Sequence, residues 1–336
     1  MDAEQLQRRR AERARDRRRR HVRRRVAGGA LLAAVLVVVA LAVGAGGGAS
    51  SPRPAASATA THKTTARHRR SAHRAATPRR YHGGSTAAAL GPATGTPGTA
   101  SVPVLMYHVI APPPSGAPYP GLYVQPQEFA AQMQALRTAG WHPVTLDQLR
   151  AYWTKGARLP AGKPIVITFD NGYHSQYTEA LPVLHKLGWV ADENIQLSGL
   201  PPSQGGLTTD EVRGLVDAGW ELDTQGISHA DLITLDAGEL HYQIVTARRR
   251  LQHEYGVPVN WFCYPSGHYD ATVIAAVRAA GFVGSTTVVP GWAGSTSDMY
   301  RLPRLRVLGG TSPSALLAQI ASSESAAAPP GSYGGA

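Results

Sequence analysis

The run KPIVITF at residues 163–169, followed by DNGY at 170–173, is the smallest piece from which a fold can be read. Apart from Lys163 and Thr168 the run is apolar, without the polar alternation of a half-exposed strand. That pattern predicts a strand buried on both faces, as in a parallel sheet. Asp170, Asn171 and Gly172 then supply turn chemistry. YTEALPVLHKLG (177–188) follows with helical periodicity and a glycine stop at Gly188. Strand, short acidic turn and helix make one βα unit.

The unit recurs along the chain. VPVLMYHVI (102–110) reads as another buried strand, and PQEFAAQMQALRTAG as a helix ending at Gly140. ENIQLS is a weaker strand before TTDEVRGLVDAG, a capped helix that stops at Gly219. Next come strand WELDTQ, helix AGELHYQIVTARRRLQHEYG, strand VNWFCYP and helix DATVIAAVRAAG. Strands FVGSTTV and RLPRLRV and helix SPSALLAQIASS complete the series. Six or seven such units in roughly 220 residues predict an α/β fold, a closed barrel rather than an open doubly wound sheet. No GxGxxG or GKS/T sequence stands at a strand end, which weakens the open-sheet alternative.

The net charge of +12 belongs to the N-terminal third. Residues 1–25 hold twelve arginines and four acids, and residues 50–98 hold eight Lys or Arg and no acid, so the remainder from Thr99 carries −4. The folded part is mildly acidic, and nucleic acid is excluded as its partner. Between them, VAGGALLAAVLVVVALAVGAGGGA (26–49) has no charge and is long enough to span a bilayer as a helix. Its arginine-rich flank predicts a cytoplasmic N-terminus, with everything after the span outside the cell. A signal peptide cleaved near GAGGGAS is the alternative, giving a secreted chain. The domain plan is a basic segment 1–25, a signal-anchor helix 26–49, a disordered Ser/Thr/Ala/Pro/Arg linker 50–98, a catalytic domain 99–322 and a disordered tail 323–336. Cys263 is the single cysteine, so no disulfide framework exists within the chain.

Barrel chemistry gathers where strands end. The strand-end residues are His108, Asp170, Asn171, Gln225, His229, Tyr264, Pro265, Arg304 and Arg306. Asp170-Asn171-Gly172 also reads as an ordinary capped turn. Tyr107, Tyr264 and Trp261 read as core or as surface for stacking sugars.

Taken together, VPVLMYHVI, IVITFDNGYHSQYTEALPVLHKLG (165–188), GWELDTQGISHADL (219–232), WFCYPSGHYD (261–270) and GF (281–282) resemble the polysaccharide deacetylases that share the NodB homology domain, carbohydrate esterase family 4. The resemblance implies a distorted (β/α)7–8 barrel that removes acetyl groups from amino-sugar polymers such as peptidoglycan or poly-N-acetylglucosamine. It implies Asp170 as the general base and a zinc ion at the positions of Asn171, Gln225 and His229, with His229 giving catalytic help. His108, Tyr264 and Pro265 fall at substrate-binding positions. The family usually has a second aspartate where Asn171 stands, a histidine where Gln225 stands and an arginine where Cys263 stands. Two of three ligands are thus neutral amides, poor partners for zinc. A relocated site from His229, Asp223 and His174 or His268 is one alternative. For function the alternatives are a glycan-binding barrel without its metal, and a glycoside hydrolase pairing Asp170 with Asp223 or Asp270.

Overall fold

The computed structural model describes residues 90–198, 200 and 205–335. The basic segment, the apolar run 26–49 and linker residues 50–89 lie outside the described residues. Among those described, no helix is long and apolar enough to cross a membrane.

Strand β1 (Val102–Tyr107) and strand β3 (Lys163–Asn171) form the spine, paired in parallel. The first residues of β3 also pair with β2 (Trp141–Pro143). Parallel pairing continues from β3 through β4 (Asp192–Ile195), β5 (Glu221–Thr224), β6 (Trp261–Cys263) and β7 (Gly284–Thr286). On the other side, β8 (Trp292–Ala293) lies antiparallel to the start of β1, and β9 (Leu305–Arg306) parallel to its middle. Thr286 also bridges Leu302. Residues 302–306 therefore touch β7 at one end and β1 at the other. The expected barrel is realised as a curled parallel sheet, a half-barrel whose open side is spanned by this short segment.

Both faces are covered, which is why the strands carry near-continuous apolar runs. Outward, Leu105, Tyr107, Ile165, Ile167 and Phe169 are buried beneath helices α1 (Pro126–Thr138), α3 (Leu181–Leu187) and α8 (Pro313–Ser322). A second outer cluster joins Leu222 and Phe262 to α5 (Ala237–His241), α6 (Ala247–Tyr255) and α7 (Ala271–Ala279). Helices α5 and α6 are continuous through one π-type turn, Tyr242–Thr246, matching the single long helix expected.

Helix α2 (Leu146–Lys155) was not foreseen, although its start is written in the sequence. Thr145 and Gln148 form a reciprocal capping box and Gly156 ends the helix in the left-handed region. Leu146, Leu149 and Trp153 pack on Val104, Val166 and Trp261, closing the end of the barrel where the strands begin. Helix α4 (Thr209–Asp217) carries a second capping box, Thr208 with Glu211.

Inside, the middle strands are polar. Thr168, Asp192 and Glu221 stand at one register level, and Asp170, Asn194 and Asp223 at the next. Residues 323–335, read from the sequence as a disordered tail, run along the barrel: Tyr269 and Tyr333 exchange backbone hydrogen bonds of 2.8 Å. Tyr269 Oη also donates to the carbonyl of Pro330. An Ala-Ser-Pro-Gly composition hid this, since backbone groups rather than apolar side chains make most of the attachment.

Candidate active site

The ends of β1, β3, β5 and β6 open onto a cleft of about 560 Å3. His108, Asp170, Asn171, Gln225, His229 and Tyr264 all line it, so six of the predicted site residues are brought together. Pro265 is buried outside the lining, and the neighbouring Ser266 and Gly267 take its place. Among the described residues only Asn171 (φ 81°), His229 (φ 52°) and Ser266 (φ 55°) are non-glycine residues with left-handed backbone. All three line this cleft. Such conformations are sparsely populated and persist where surrounding structure enforces them, often at functional sites.

Asp170 forms the floor and is 1% exposed. Arg304, fully buried, grips it with two parallel bonds: Nη1 to Oδ1 at 2.7 Å and Nη2 to Oδ2 at 2.8 Å. Asn194 Nδ2 adds a third donor to Oδ1 at 2.9 Å. Burial alone would push the Asp170 carboxyl up, but the charge and hydrogen bonds of Arg304 more than offset it, bringing it down to about 2. Arg304 is itself held by Thr168 Oγ1, the Thr287 carbonyl and Cys263 Sγ. Sequence reasoning put Arg304 at a strand end without a role. It supplies the arginine that the family pattern places at position 263, reaching Asp170 from the segment that spans the barrel's open side.

Cys263 accordingly is no nucleophile. Burial pushes its thiol up to about 12, and it donates to Asp170 Oδ2 at 3.5 Å. His108 Nε2 lies 4.0 Å from the same oxygen. Burial brings His108 down to about 4, a drop only partly offset by the charge of Asp170, so the ring is neutral at physiological pH. Burial lowers His229 as well.

The family's metal position can be tested donor by donor. Asn171 Nδ2 donates to Gln196 Oε1 and to Gln225 Oε1, both at 2.9 Å. Gln225 Nε2 in turn donates to Cys263 Sγ at 3.2 Å, and Gln196 Nε2 to the Ser198 carbonyl at 2.9 Å. The oxygens of Gln196 and Gln225 are thus already hydrogen-bonded to one another's bridge, Asn171, and the group presents no carboxylate and one imidazole. These residues do not fit zinc, which takes His, thiolate or carboxylate ligands.

Nor does the relocated metal site assemble. His174 pairs with Glu211 at 2.7 Å and His268 with Asp231 at 3.1 Å. Asp223 points below the floor, accepting from the backbone of Asn260 and Trp261. The glycoside-hydrolase pairing fails for the same reason, and because Asp270 caps α7 through Thr272 and Val273. Tyr264 lines the cleft with its ring while its hydroxyl is committed to the Tyr300 carbonyl.

A curled parallel sheet with an arginine-paired aspartate at one strand end and two neutral histidines beside it places this cleft where βα barrels carry their sites. The chain belongs to the polysaccharide deacetylase family, whose model matches residues 158–285. YxkH of Bacillus subtilis (strain 168), named for the same family, is 30% identical over 224 residues, 66% of this chain and 77% of that one. The solved Streptococcus pyogenes deacetylase PplD, in complex with acetate, superposes with TM-score 0.60 at 26% identity, covering 67% of this chain and 99% of that chain. The poly-beta-1,6-N-acetyl-D-glucosamine N-deacetylase of Escherichia coli (strain K12) is 38% identical over 68 residues, 20% of this chain and 10% of that protein. The family is generally metal dependent, which makes the amide group at Asn171 and Gln225 a departure.

Proposed function

We propose that this chain is a hydrolase that removes acetyl groups from an amino-sugar polymer of the cell wall or an exopolysaccharide, outside the cell and tethered through residues 26–49. One observation carries the reading: Asp170 keeps an ionised, singly oriented carboxylate at the floor of the cleft. Water attacks the acetamide carbonyl as Asp170 accepts its proton. The tetrahedral intermediate then breaks its C–N bond, and that proton passes to the leaving amine, freeing acetate. A carboxyl held near 2 is a weak base, so it contributes orientation and negative charge more than proton affinity. Arg306, exposed and lining the cleft, offers positive charge to the oxyanion, and neutral His229 offers a hydrogen bond to the sugar or the departing nitrogen. Zinc at the family position plays no part in this sequence of steps.

The second reading is a non-catalytic glycan-binding barrel, favoured by the closed hydrogen bonding among Asn171, Gln196 and Gln225. Release of free amines from N-acetylglucosamine oligomers and peptidoglycan separates the two. The purified chain is assayed alone, with zinc and with a zinc-selective chelator, beside Asp170→Asn. Catalysis predicts release that the chelator leaves intact and Asp170→Asn abolishes, with Arg306→Ala slower by about 10²-fold. Folded protein that binds the oligomers and releases nothing in any arm establishes the glycan-binding reading.

A further inference from the structure

Below the cleft floor, toward the starts of β4 and β5, three acids meet. Asp192 on β4 and Glu221 and Asp223 on β5 each bring a carboxylate oxygen within 4.8 Å of the other two. Asp192 and Asp223 are fully buried, and Glu221 is half-buried at the edge. One oxygen of each is satisfied by backbone. Leu146 N donates to Asp192 Oδ1 at 2.8 Å, Asp147 N to Glu221 Oε2 at 3.0 Å, and Trp261 N to Asp223 Oδ1 at 2.8 Å. The second oxygen of each, Asp192 Oδ2, Glu221 Oε1 and Asp223 Oδ2, is out of solvent and meets no fixed donor, and Glu221 can hydrogen-bond Asp192 and Asp223 only where a proton lies between the carboxyls. Buried polar atoms are nearly always partnered, so three orphans in one place require an explanation.

A salt bridge does not supply it: among the described residues no Lys, Arg or His pairs with any of the three. The fourth acid nearby, Asp147, has both oxygens engaged by Asn260 Nδ2 and Trp261 Nε1 and adds negative charge. Burial, and then the neighbouring acids, push all three carboxyls upward, Glu221 to about 8. Bare carboxylates so arranged would cost several kcal/mol each in desolvation. Protons shared between the carboxyls or a bound cation must neutralise them.

We infer that Asp192, Glu221 and Asp223 form a binding site for one hard divalent cation. An all-oxygen, carboxylate-rich set suits calcium, magnesium or manganese rather than zinc. The backbone donors fix each carboxylate with its free oxygen turned inward, and half-exposed Glu221 marks the way in. Two of those donors are the first amides of α2, so the ion would tie β4 and β5 to the helix that closes the barrel. It lies apart from the cleft and needs none of the cleft residues.

Terbium, a luminescent stand-in for calcium, tests this on the full-length chain stripped of divalent ions. Trp261 donates to Asp223 through its backbone and to Asp147 through its indole, close enough to sensitise a bound ion. Tryptophan excitation is expected to give terbium emission that saturates at one ion per chain and is displaced by calcium or magnesium. Calcium alone is expected to raise the melting temperature by several degrees. Asp192→Asn and the milder Glu221→Gln should each weaken binding by more than about tenfold. Wild-type protein that gives no terbium signal and no calcium shift, with a melting temperature that moves with pH alone, would assign shared protons to the cluster and overturn the site. Emission unchanged in a folded Glu221→Gln chain would overturn it equally.

Discussion

Asp170 stays charged with almost none of its surface in water because Arg304 takes both of its oxygens, and each depends on the other. Replacing Arg304 by Met leaves a lone carboxylate in the barrel, which should cost about 3–5 kcal/mol of stability. Adding Asp170→Asn should restore part of it, and urea unfolding of the two variants checks the coupling. Arg304→Lys should not rescue, since a point charge cannot reproduce the paired bonds. At the amide group the expectation runs the other way: Asn171→Asp with Gln225→His restores a carboxylate and an imidazole beside His229. Zinc titration should then show tight binding that the wild type lacks, and no gain would mean that the three positions do not converge on one ion. Asp170, its strand end and the amide substitutions were legible in the sequence. The partnership with Arg304 was not, because it joins residues 134 positions apart and no local pattern marks it.

Elements were legible where their signals are local. Buried strands 102–107 and 163–171 and the capped helices at 209 and 271 stand where pattern and caps put them. Helix α2 carries its local signal in Thr145-x-x-Gln148, whereas β2 and β8, three and two residues long, exist only through their partners, and β9 is the paired core of the strand expected at RLPRLRV (301–307). The turn after β6 depends on Gly267, at φ 74°, where an added Cβ would run into Val288. Gly267→Ala should therefore lower stability by about 1–3 kcal/mol and displace Ser266 at the cleft wall. Its activity loss should exceed that of an equally destabilising change in the outer core, such as Leu184→Ala. Thermal unfolding beside the amine-release assay makes the comparison, and equal losses would deny the turn a special place.

For the molecule as a whole, the expected barrel survives as a curled sheet, and its regularity fails where strands shorten to bridges. Helix and strand periodicity reports which faces are covered, and says little about how a ring is finished. Acid stability follows from the interior. His108 titrates near 6.5 when free and near 4 in the fold. Between these values the unfolded chain binds more protons at His108, so that residue's contribution to stability should fall by about 3 kcal/mol as pH drops through the window, while Glu221, raised to about 8 in the fold, acts in the opposite sense. Asp170 adds its own loss only at still lower pH, as its folded value is about 2. Urea unfolding between about pH 7 and pH 4 should show the wild type losing this much stability relative to His108→Gln, with no divergence denying His108 the role.

The position of Arg304 has a consequence for how the protein is made. Translation delivers Asp170 long before its counter-charge. A nascent chain that has emerged only through β7 has every apolar strand of the sheet's middle, yet closing the barrel at that moment would entomb a bare carboxylate at a cost of several kcal/mol. Residues 302–306 therefore work as a completeness check: the interior becomes affordable only when the last stretch of the domain has arrived. A copy that ends before Arg304 should be more open to proteases than the finished one, in which the same pair that neutralises the interior also aims the acid.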